Sequence, residues 1–141
     1  MALQRIGLRT SGLTIANACW GLLAPSTVRT AVIELGIIQS AAAAQSLGLG
    51  RPAATGTSSG NTLLQTDDPN DPATVSNATL TWSAQPTAPT IFHQRWNSAA
   101  TIGVGILWTF ARGLLVAASG QLVVWNITAA QASDINVACD A

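Results

Sequence analysis

The most regular alternation of hydrophobic and polar positions lies in residues 102–126. Apolar side chains fill every second position of residues 102–110, and successive side chains of a strand point to opposite faces. The pattern predicts a strand with one apolar face, made by Ile102, Val104, Ile106, Trp108 and Phe110. Residues 111–113 and the pair Ser119-Gly120 interrupt the alternation, so we expect three short strands joined by two turns.

A transmembrane helix is the alternative interpretation of residues 102–118, which are almost wholly apolar. A helix through this segment would place Arg112 deep in the bilayer, at a cost of about 2.5–3.5 kcal/mol. The glycines and the period of two also oppose it. The sequence therefore favours strands of a packed sheet, and no membrane partner is expected.

Shorter stretches elsewhere show the spacing and bounding turn residues of strands. We expect strands at residues 15–23, 74–82, 91–96 and 134–140. Residues 3–9 predict either an edge strand or, as part of residues 1–10, an extended arm that reaches a neighbouring molecule. Residues 51–72 are rich in Pro, Gly, Ser and Asp, and they predict one long loop that is functional or lies on a neighbour.

Residues 27–50 allow two interpretations. In a helix, Ser26 would cap the N-terminus, Val28, Val32, Leu35 and Ile38 would follow at helical spacing, and Gly48 would end it. In strands, residues 31–38 alternate and residues 45–49 return after a turn. Because Gly36 costs a helix interior about 1 kcal/mol and Val and Ile favour sheets, we predict strands.

These elements together predict one domain that spans residues 1–141. Eight to ten short strands, with a turn about every ten residues, are typical of antiparallel sandwiches and jelly rolls. The predicted fold class is all-β, an antiparallel β-sandwich or jelly roll of about eight strands.

Charge is unusually sparse. Only 9% of the residues are charged, the net charge is zero, and all six basic residues are arginine, whereas ordinary domains have roughly 25% charged residues. So neutral a surface disfavours colloidal solubility, and we expect other subunits to cover much of it. Six scattered arginines form no basic stripe, so nucleic acid is not expected as a direct partner.

The two cysteines, Cys19 and Cys139, lie in apolar, strand-like surroundings. The N-terminus lacks the continuous apolar core of a secretion signal, which predicts a protein made in a cytoplasm. Disulfides are rare in such compartments, so we expect two buried free thiols. Pairing of the first and last strands would still allow the two cysteines to meet.

Few residues are available for chemistry. The sole histidine, His93, has no Asp or Glu nearby in sequence, and general acid–base catalysis needs such a partner. The cluster Asp67, Asp68, Asn70 and Asp71 offers oxygens to Ca²⁺ but lacks the EF-hand order, and Asp-Pro is an ordinary turn former. We expect no enzyme activity, no cofactor and no metal, and an ion pair between Glu34 and an arginine.

Interface residues are sought among tryptophan and arginine, which are enriched at binding hot spots. Trp108 shares the apolar face of its strand, whereas Trp96 and Trp125 lie next to asparagines and are expected to point outward. The pair Arg95-Trp96 is the first interface prediction. Arg5 and Arg9, on the possible arm, complete the predicted interface set.

Two stretches resemble the jelly-roll decoration (cement) proteins of tailed-phage capsids. One is Leu47-Gly48-Leu49-Gly50-Arg51-Pro52-Ala53, which follows Ile33-Glu34-Leu35-Gly36. The other is Arg112-Gly113-Leu114-Leu115-Val116, followed by residues 119–126. The resemblance implies a homotrimer on the virion surface that bridges neighbouring copies of the major capsid protein, and it also favours strands in residues 27–50.

Two other functions remain open from the sequence. One is a phage tail or fibre component that binds a tail protein or a host surface, for which the acidic residues 67–71 are the only hint. The other is a lectin-like or cupin-like module for a small molecule. Cupin metal sites use several histidines, and this chain has one.

Overall fold

A computed structural model describes residues 2–12, 17–71, 75–128 and 131–141 of the chain. These residues form strands and no helix, so the described chain contains no helix that could cross a membrane. In chain order the strands are β1 (Leu3–Arg9), β2 (Ala18–Leu23), β3 (Thr30–Gln39), β4 (Ser46–Gly50), β5 (Thr57–Leu63), β6 (Gln65–Thr66), β7 (Asn77–Ala84), β8 (Phe92–Asn97), β9 (Gly105–Val116), β10 (Gln121–Asn126) and β11 (Ser133–Asp140).

The strands build two antiparallel sheets that pack as a β-sandwich, which confirms the predicted fold class. Sheet A has the order β6-β1-β11-β3-β9, and sheet B has the order β5-β7-β2-β10-β4-β8. Strands β1 to β4 alternate between the sheets, and β8 to β11 do so again. The last strand, β11, lies beside the first, β1, with all seven residues of β1 in register.

The core lies between the sheets and is built by the predicted alternation. Leu35, Ile37 and Ile135 of sheet A meet Trp20 and Leu122 of sheet B, and all five side chains are fully buried. Burying a large apolar side chain contributes about 1.5–3 kcal/mol. These residues therefore set which face of each strand points inward.

Residues 27–50 form strands, as predicted. They contain β3 and β4, which belong to different sheets. The turn between them is anchored by Gln39, whose Nε2 donates to the carbonyl oxygens of Ala41, at 2.6 Å, and Ala43, at 2.7 Å. A side chain thus holds a turn that has little backbone pairing of its own.

The break predicted at residues 111–113 was wrong, because β9 continues through it as one strand of twelve residues. Glu34 pairs with Thr109 and Val32 pairs with Leu114, so four residues of β9 bulge opposite the single residue Ile33. Gly113 has a φ of +71°, a conformation that glycine adopts without strain. The glycine marks a β-bulge rather than a turn. The predicted turn at Ser119-Gly120 is present between β9 and β10.

The single long loop predicted at residues 51–72 was also wrong. This segment contains β5, which pairs with β7, and β6, which pairs with β1. β5 is mostly exposed and polar, so it is held by backbone pairing and not by a buried apolar face. Its sequence therefore has no hydrophobic periodicity from which a strand could be predicted. The predicted boundaries at Pro72 and Thr74 lie outside the described residues.

Residues 3–9 form β1, a strand of sheet A between β6 and β11. The segment is therefore a strand of the domain, neither the sheet edge nor an arm. Met1 lies outside the described residues, as does Ile15, the predicted start of the second strand. The described part of that strand, β2, begins at Ala18.

The outer face of sheet B is covered by the chain itself. Residues 85–91 connect β7 and β8, which lie on opposite sides of β2, β10 and β4, and Pro86 and Pro89 of this connection are buried. Below it, Trp82 and Phe92 pack against a second small cluster of Ala18, Val123 and Trp125. We call residues 85–91 the strap. Trp125, predicted to point outward, does leave the main core, but this cover buries it.

Candidate interaction surfaces

The outer face of sheet A carries three cross-strand rows of residues, and no part of the chain that the structure describes covers it as the strap covers sheet B. We call these rows the sheet A face. Their members follow from the pairings of β1, β11, β3 and β9: Arg9, Asp134, Ile38 and Gly105 in the first, Gly7, Asn136, Gly36 and Leu107 in the second, and Arg5, Ala138, Glu34 and Thr109 in the third.

Glycines shape a shallow depression along the middle row. Leu107 lies over Gly36, with its Cδ1 3.4 Å from the position of a Cβ there, and Asn136 lies against Gly7. Two adjoining grooves of about 340 and 310 Å³ result, which share Glu34 and Asn136. Leu107 is 59% exposed and Ile38 is 46% exposed, so the first two rows are apolar on their β3–β9 side, whereas the third row carries Glu34 and Thr109 there.

The β1 side of the sheet A face carries ion pairs. Arg5 Nε lies 3.0 Å from Oδ2 of Asp67, and Arg9 donates through Nε and Nη2 to the two oxygens of Asp134, at 2.7 and 2.9 Å. The hydrogen bond from Arg9 lowers the pKa of Asp134 below its ordinary value. Arg5 and Arg9, two of the four predicted interface residues, are therefore exposed and already neutralised.

The ion pair predicted for Glu34 is absent among the described residues, where the two arginine–carboxylate pairs involve Asp67 and Asp134. Glu34 pairs through its backbone with Ala138 and Thr109, and Arg5 on the same row is bound to Asp67. Glu34 thus lines both grooves of the sheet A face, and Arg5 lines the smaller groove beside it without forming an ion pair with it.

Arg95 and Trp96 point to opposite faces of β8: Arg95 is exposed, and Trp96 is buried. Trp96 was predicted to point outward, but it is only 8% exposed and packs in the main core opposite Leu47. Arg95 is exposed, and its Cζ lies 5.6 Å from the ring centroid of Phe92, a cation–π contact. Trp96 is therefore a core residue, and the predicted pair does not form one patch.

The acidic residues 67–71 form a turn. The backbone N–H of Asn70 donates to Oδ1 of Asp68 at 2.9 Å, and that of Asp71 donates to the Asp68 carbonyl oxygen at 3.1 Å. Asp67 is held by Arg5. Within the described ranges, no three His, Cys, Asp or Glu side chains converge as metal ligands would.

A cleft of about 510 Å³ opens at one end of the sandwich. Arg29, just before β3, and Arg51, just after β4, line it together with Thr55, Gln121 and an apolar wall of Pro52, Leu115, Val116 and Ala117. No carboxylate is among the described lining residues. Arg29 and Arg51 were not predicted as functional, and we find no sequence signal that links them.

Arg51 is fixed in this cleft by two hydrogen bonds. Its Nη2 donates to the carbonyl oxygen of Leu115 at 2.7 Å, and its Nη1 lies 3.0 Å from Nε2 of His93. A guanidinium only donates, so Nε2 of His93 accepts and the imidazole is neutral. Partial burial and the charge of Arg51 lower the pKa of His93.

Both cysteines are free and buried, as predicted. Cys19 lies in sheet B, where its Sγ donates to the carbonyl oxygen of Val124 at 3.3 Å, and Cys139 lies in sheet A. Burial raises the pKa of each thiol to about 12. Because the thiolate is the nucleophile, neither cysteine suits catalysis.

Comparison with known proteins returned no match to a protein-family model, to a curated protein or to a solved structure.

Proposed function

We propose that this protein is a non-catalytic structural subunit whose copies associate through the sheet A face. We further propose that the assembled form, a homotrimer, decorates and cements a tailed-phage capsid by bridging neighbouring copies of the major capsid protein. Its place would then be the capsid surface of the virion. No reaction, cofactor or membrane enters this function.

The proposal rests on a difference between the two sheets: the outer face of one is covered by the chain, and the outer face of the other is open to solvent. The outer face of sheet B is closed by the strap and by Trp82 and Phe92, whereas the sheet A face leaves Leu107 and Ile38 in solvent. An exposed apolar patch rimmed by polar groups is typical of a protein–protein contact. The fold covers one face internally, and association with another molecule would cover the other.

The charges of the sheet A face suit another copy of the same chain. Its two arginines are bound to Asp67 and Asp134. When Asp67, which lies outside the rows but pairs with Arg5, is counted with Asp134 and Glu34, the face has two positive and three negative charges, a net of −1. Copies of this face that meet around a threefold axis repel one another little and need no oppositely charged partner. The apolar side can be buried in the contact while the ion pairs remain at its solvent-exposed rim. Exposed ion pairs contribute little to the free energy of association.

The face is a better contact than the edge of sheet A. The edge strand β9 carries the bulge opposite Ile33, and Arg112 lies exposed within the bulge. Bulges and charged side chains are the usual protection against the addition of a foreign strand. We therefore assign association to side-chain packing on the face rather than to sheet extension.

The capsid setting rests on the resemblance of residues 33–36, 47–53, 112–116 and 119–126 to decoration proteins. The strand order supports the jelly-roll prediction on which that resemblance depends. Four strands β1-β11-β3-β9 face four strands β2-β10-β4-β8, as expected when eight successive strands roll up as two Greek keys. The remaining strands, β5 to β7, form an insertion between β4 and β8.

Multivalent binding explains how a subunit with little charge could hold a capsid together. Once one subunit of a trimer is bound, the other two contacts form within the same complex and weak contacts become collectively strong. Sparse charge then helps, because close packing against other subunits requires little desolvation of ions.

Sedimentation with capsids that lack the protein tests this function. The wild-type protein should pellet with capsids and reach a saturating stoichiometry. Leu107→Glu should lower the apparent capsid affinity at least tenfold, because it removes the trimer and its multivalent binding. Ile91→Glu is the matched control, since Ile91 is 76% exposed on the strap side, and it should pellet as wild type. Wild-type protein that stays in the supernatant at every concentration would refute the capsid function.

A further inference from the structure

The cleft between Arg29 and Arg51 has a chemistry that assembly through the sheet A face does not use. Its two guanidinium groups form no ion pair with a described carboxylate. Its wall is apolar, and its polar groups besides the arginines are Thr55 and Gln121. Positive charge without a partner, beside an apolar wall, indicates an anionic ligand with an apolar body.

The cleft is built before any ligand arrives. Gln121 holds the β4–β5 connection at two points, since its Nε2 donates to the carbonyl oxygen of Gly56 at 2.7 Å and its Oε1 accepts from the Gly56 N–H at 2.9 Å. Arg51 is held by Leu115 and His93. Two of the five N–H groups of its guanidinium are used, so three remain for a ligand.

The opposite wall is tied together as well. The N–H of Ala24 donates to the carbonyl oxygen of Gly120 at 3.1 Å, and the N–H of Ser119 donates to that of Pro25 at 2.9 Å. These bonds join the β2–β3 connection, which carries Arg29, to the turn between β9 and β10. Arg29 and Arg51 therefore line one cleft from two connections whose backbone is held by hydrogen bonds.

We propose that this cleft binds a carboxylate carried on a small aliphatic body, with Arg29 and Arg51 as the anion ligands. The guanidinium fork matches the two oxygens of a carboxylate, and the aliphatic body would lie against Pro52, Leu115 and Val116. A phosphate dianion fits less well, because it is strongly hydrated and the apolar wall offers it no hydrogen bonds. The carboxylate could belong to a free acid or to the end of a peptide.

The sole histidine provides a direct test, because His93 touches Arg51 and gives one set of ring signals in NMR spectra. Butyrate should shift these signals saturably at constant ionic strength. It should also raise the pKa of His93, since a bound anion offsets the charge of Arg51. Acetate, which lacks the aliphatic body, and butyramide, which lacks the charge, should bind more weakly than butyrate.

Variants separate the cleft from general attraction of anions. Arg29→Gln leaves the Arg51–His93 contact in place and should weaken butyrate binding about fivefold, the effect of one partly exposed charged hydrogen bond. Arg112→Gln removes the same charge from an exposed site outside the cleft lining, and should leave binding unchanged. Equal effects of both variants would overturn the site.

The source of the carboxylate is tested with acetylated alanyl-valine, with either a free or an amidated C-terminus. Tighter binding of the free dipeptide than of butyrate assigns the cleft to peptide ends, and the reverse assigns it to free acids. Tighter binding of inorganic phosphate than of either carboxylate, or no saturable shift up to about 50 mM, would refute the proposal. Neither result would affect the assembly function, which does not use the cleft.

Discussion

Nη1 of Arg51 lies 3.0 Å from Nε2 of His93, the only histidine of the chain. The bond exists only while His93 is neutral, because a protonated imidazole has no acceptor. A β-bulge creates the contact: Leu49 pairs with Gln94 and Gly50 pairs with Phe92, so His93 is the extra residue at the edge of β8. The bulge thus places a residue of β8 against Arg51, which lines the cleft.

Stability should therefore fall as the pH is lowered from about 6.5. Burial and Arg51 lower the pKa of folded His93 below the ordinary value of 6.5, so the unfolded chain binds the proton more readily. The contribution is fully present above the unfolded pKa and is lost as the pH falls through the folded pKa. Thermal unfolding between about pH 7.5 and 5.5 checks this, with the His93 pKa followed by NMR.

The matched control for this pH effect is His93→Gln. Glutamine offers Arg51 an acceptor oxygen and does not titrate in this range. The variant should retain the midpoint near neutral pH and lose most of the decline on acidification. An equal decline in the variant would show that other groups cause it.

Gly50 is predicted to be a position where the strap tolerates no side chain. A Cβ there would lie 2.8 Å from Cβ of Pro89 and 3.0 Å from the carbonyl oxygen of Ile91. Because part of this contact is backbone, the strap must move to make room. Gly50→Ala should therefore lower the free energy of unfolding by about 1–3 kcal/mol, the usual effect of overpacking, measured by urea denaturation.

Gly60→Ala is the control for Gly50→Ala. Gly60 also lies in a strand of sheet B, but the nearest atom to its Cβ position is Oγ1 of Thr81 at 3.2 Å, an exposed side chain that can rotate. The free energy of unfolding should change by less than about 0.5 kcal/mol. Similar losses in both variants would indicate a general effect of alanine in these strands rather than contact with the strap.

The fold was predictable where one face of a strand meets the core. Residues 106–110 and 134–140 alternate because sheet packing selects every second residue, and both lie in strands, β9 and β11. Residues 102–104 were wrongly predicted as the start of the first strand: Gly103 has a φ of +85°, and Ile102 is 65% exposed in the turn before β9. Residues 121–126 form β10 as predicted, although all six are buried. β5 escaped prediction because it is an exposed strand of Thr, Ser, Gly and Asn, held by backbone bonds that leave no hydrophobic period. Gly113 led to the wrong prediction of a turn, because glycine adopts a positive φ in bulges as well as in turns.

The orientation of Trp96 was not predictable for a related reason. Simple alternation puts residues 92 and 96 on the same face, but the extra residue His93 reverses the faces. Phe92 consequently packs under the strap and Trp96 enters the core. A one-residue bulge has no reliable signature in a single sequence. It moves every side chain beyond it to the opposite face of the sheet.

Buried polar residues were a further gap. Gln39, Gln45, Ser98 and Ser133 are buried at one end of the sandwich, where Gln45 Nε2 donates to Oγ of Ser133 at 2.7 Å and Ser98 donates to Gln39. Polarity in the sequence predicts exposure. Here the side chains are buried because they satisfy one another and the turn backbone, a condition that only the tertiary structure reveals.

The sheet A face and the cleft depend on long-range topology. Which sheet stays uncovered is decided by the path of the strap over sheet B, not by the composition of either sheet. Arg29 and Arg51 line one cleft because the β2–β3 connection ends, and the β4–β5 connection begins, at the same end of the sandwich. Of the predicted interface residues, Arg5 and Arg9 do lie on the open face, whereas Arg95 and Trp96 do not.

Both thiols should be inert in the native protein. Burial raises each pKa to about 12, so almost no thiolate is present near pH 8, and solvent access is closed. Ellman's reagent should label neither cysteine except through unfolding, and both should react in guanidinium chloride. Cys19→Ala and Cys139→Ala distinguish the two sites. Each variant keeps one cysteine, and rapid labelling of a native variant would contradict the burial of the cysteine that it keeps.

Native mass by light scattering on a sizing column, at several protein concentrations, shows whether copies of the chain associate through the sheet A face. We predict a wild-type trimer, three times the 14.4 kDa chain mass. Leu107→Glu should dissociate it, with the association constant at least tenfold lower because a charge enters the apolar contact, and Ile91→Glu should leave it intact. A wild-type monomer at every concentration, or an unchanged oligomer in Leu107→Glu, would contradict association through the sheet A face.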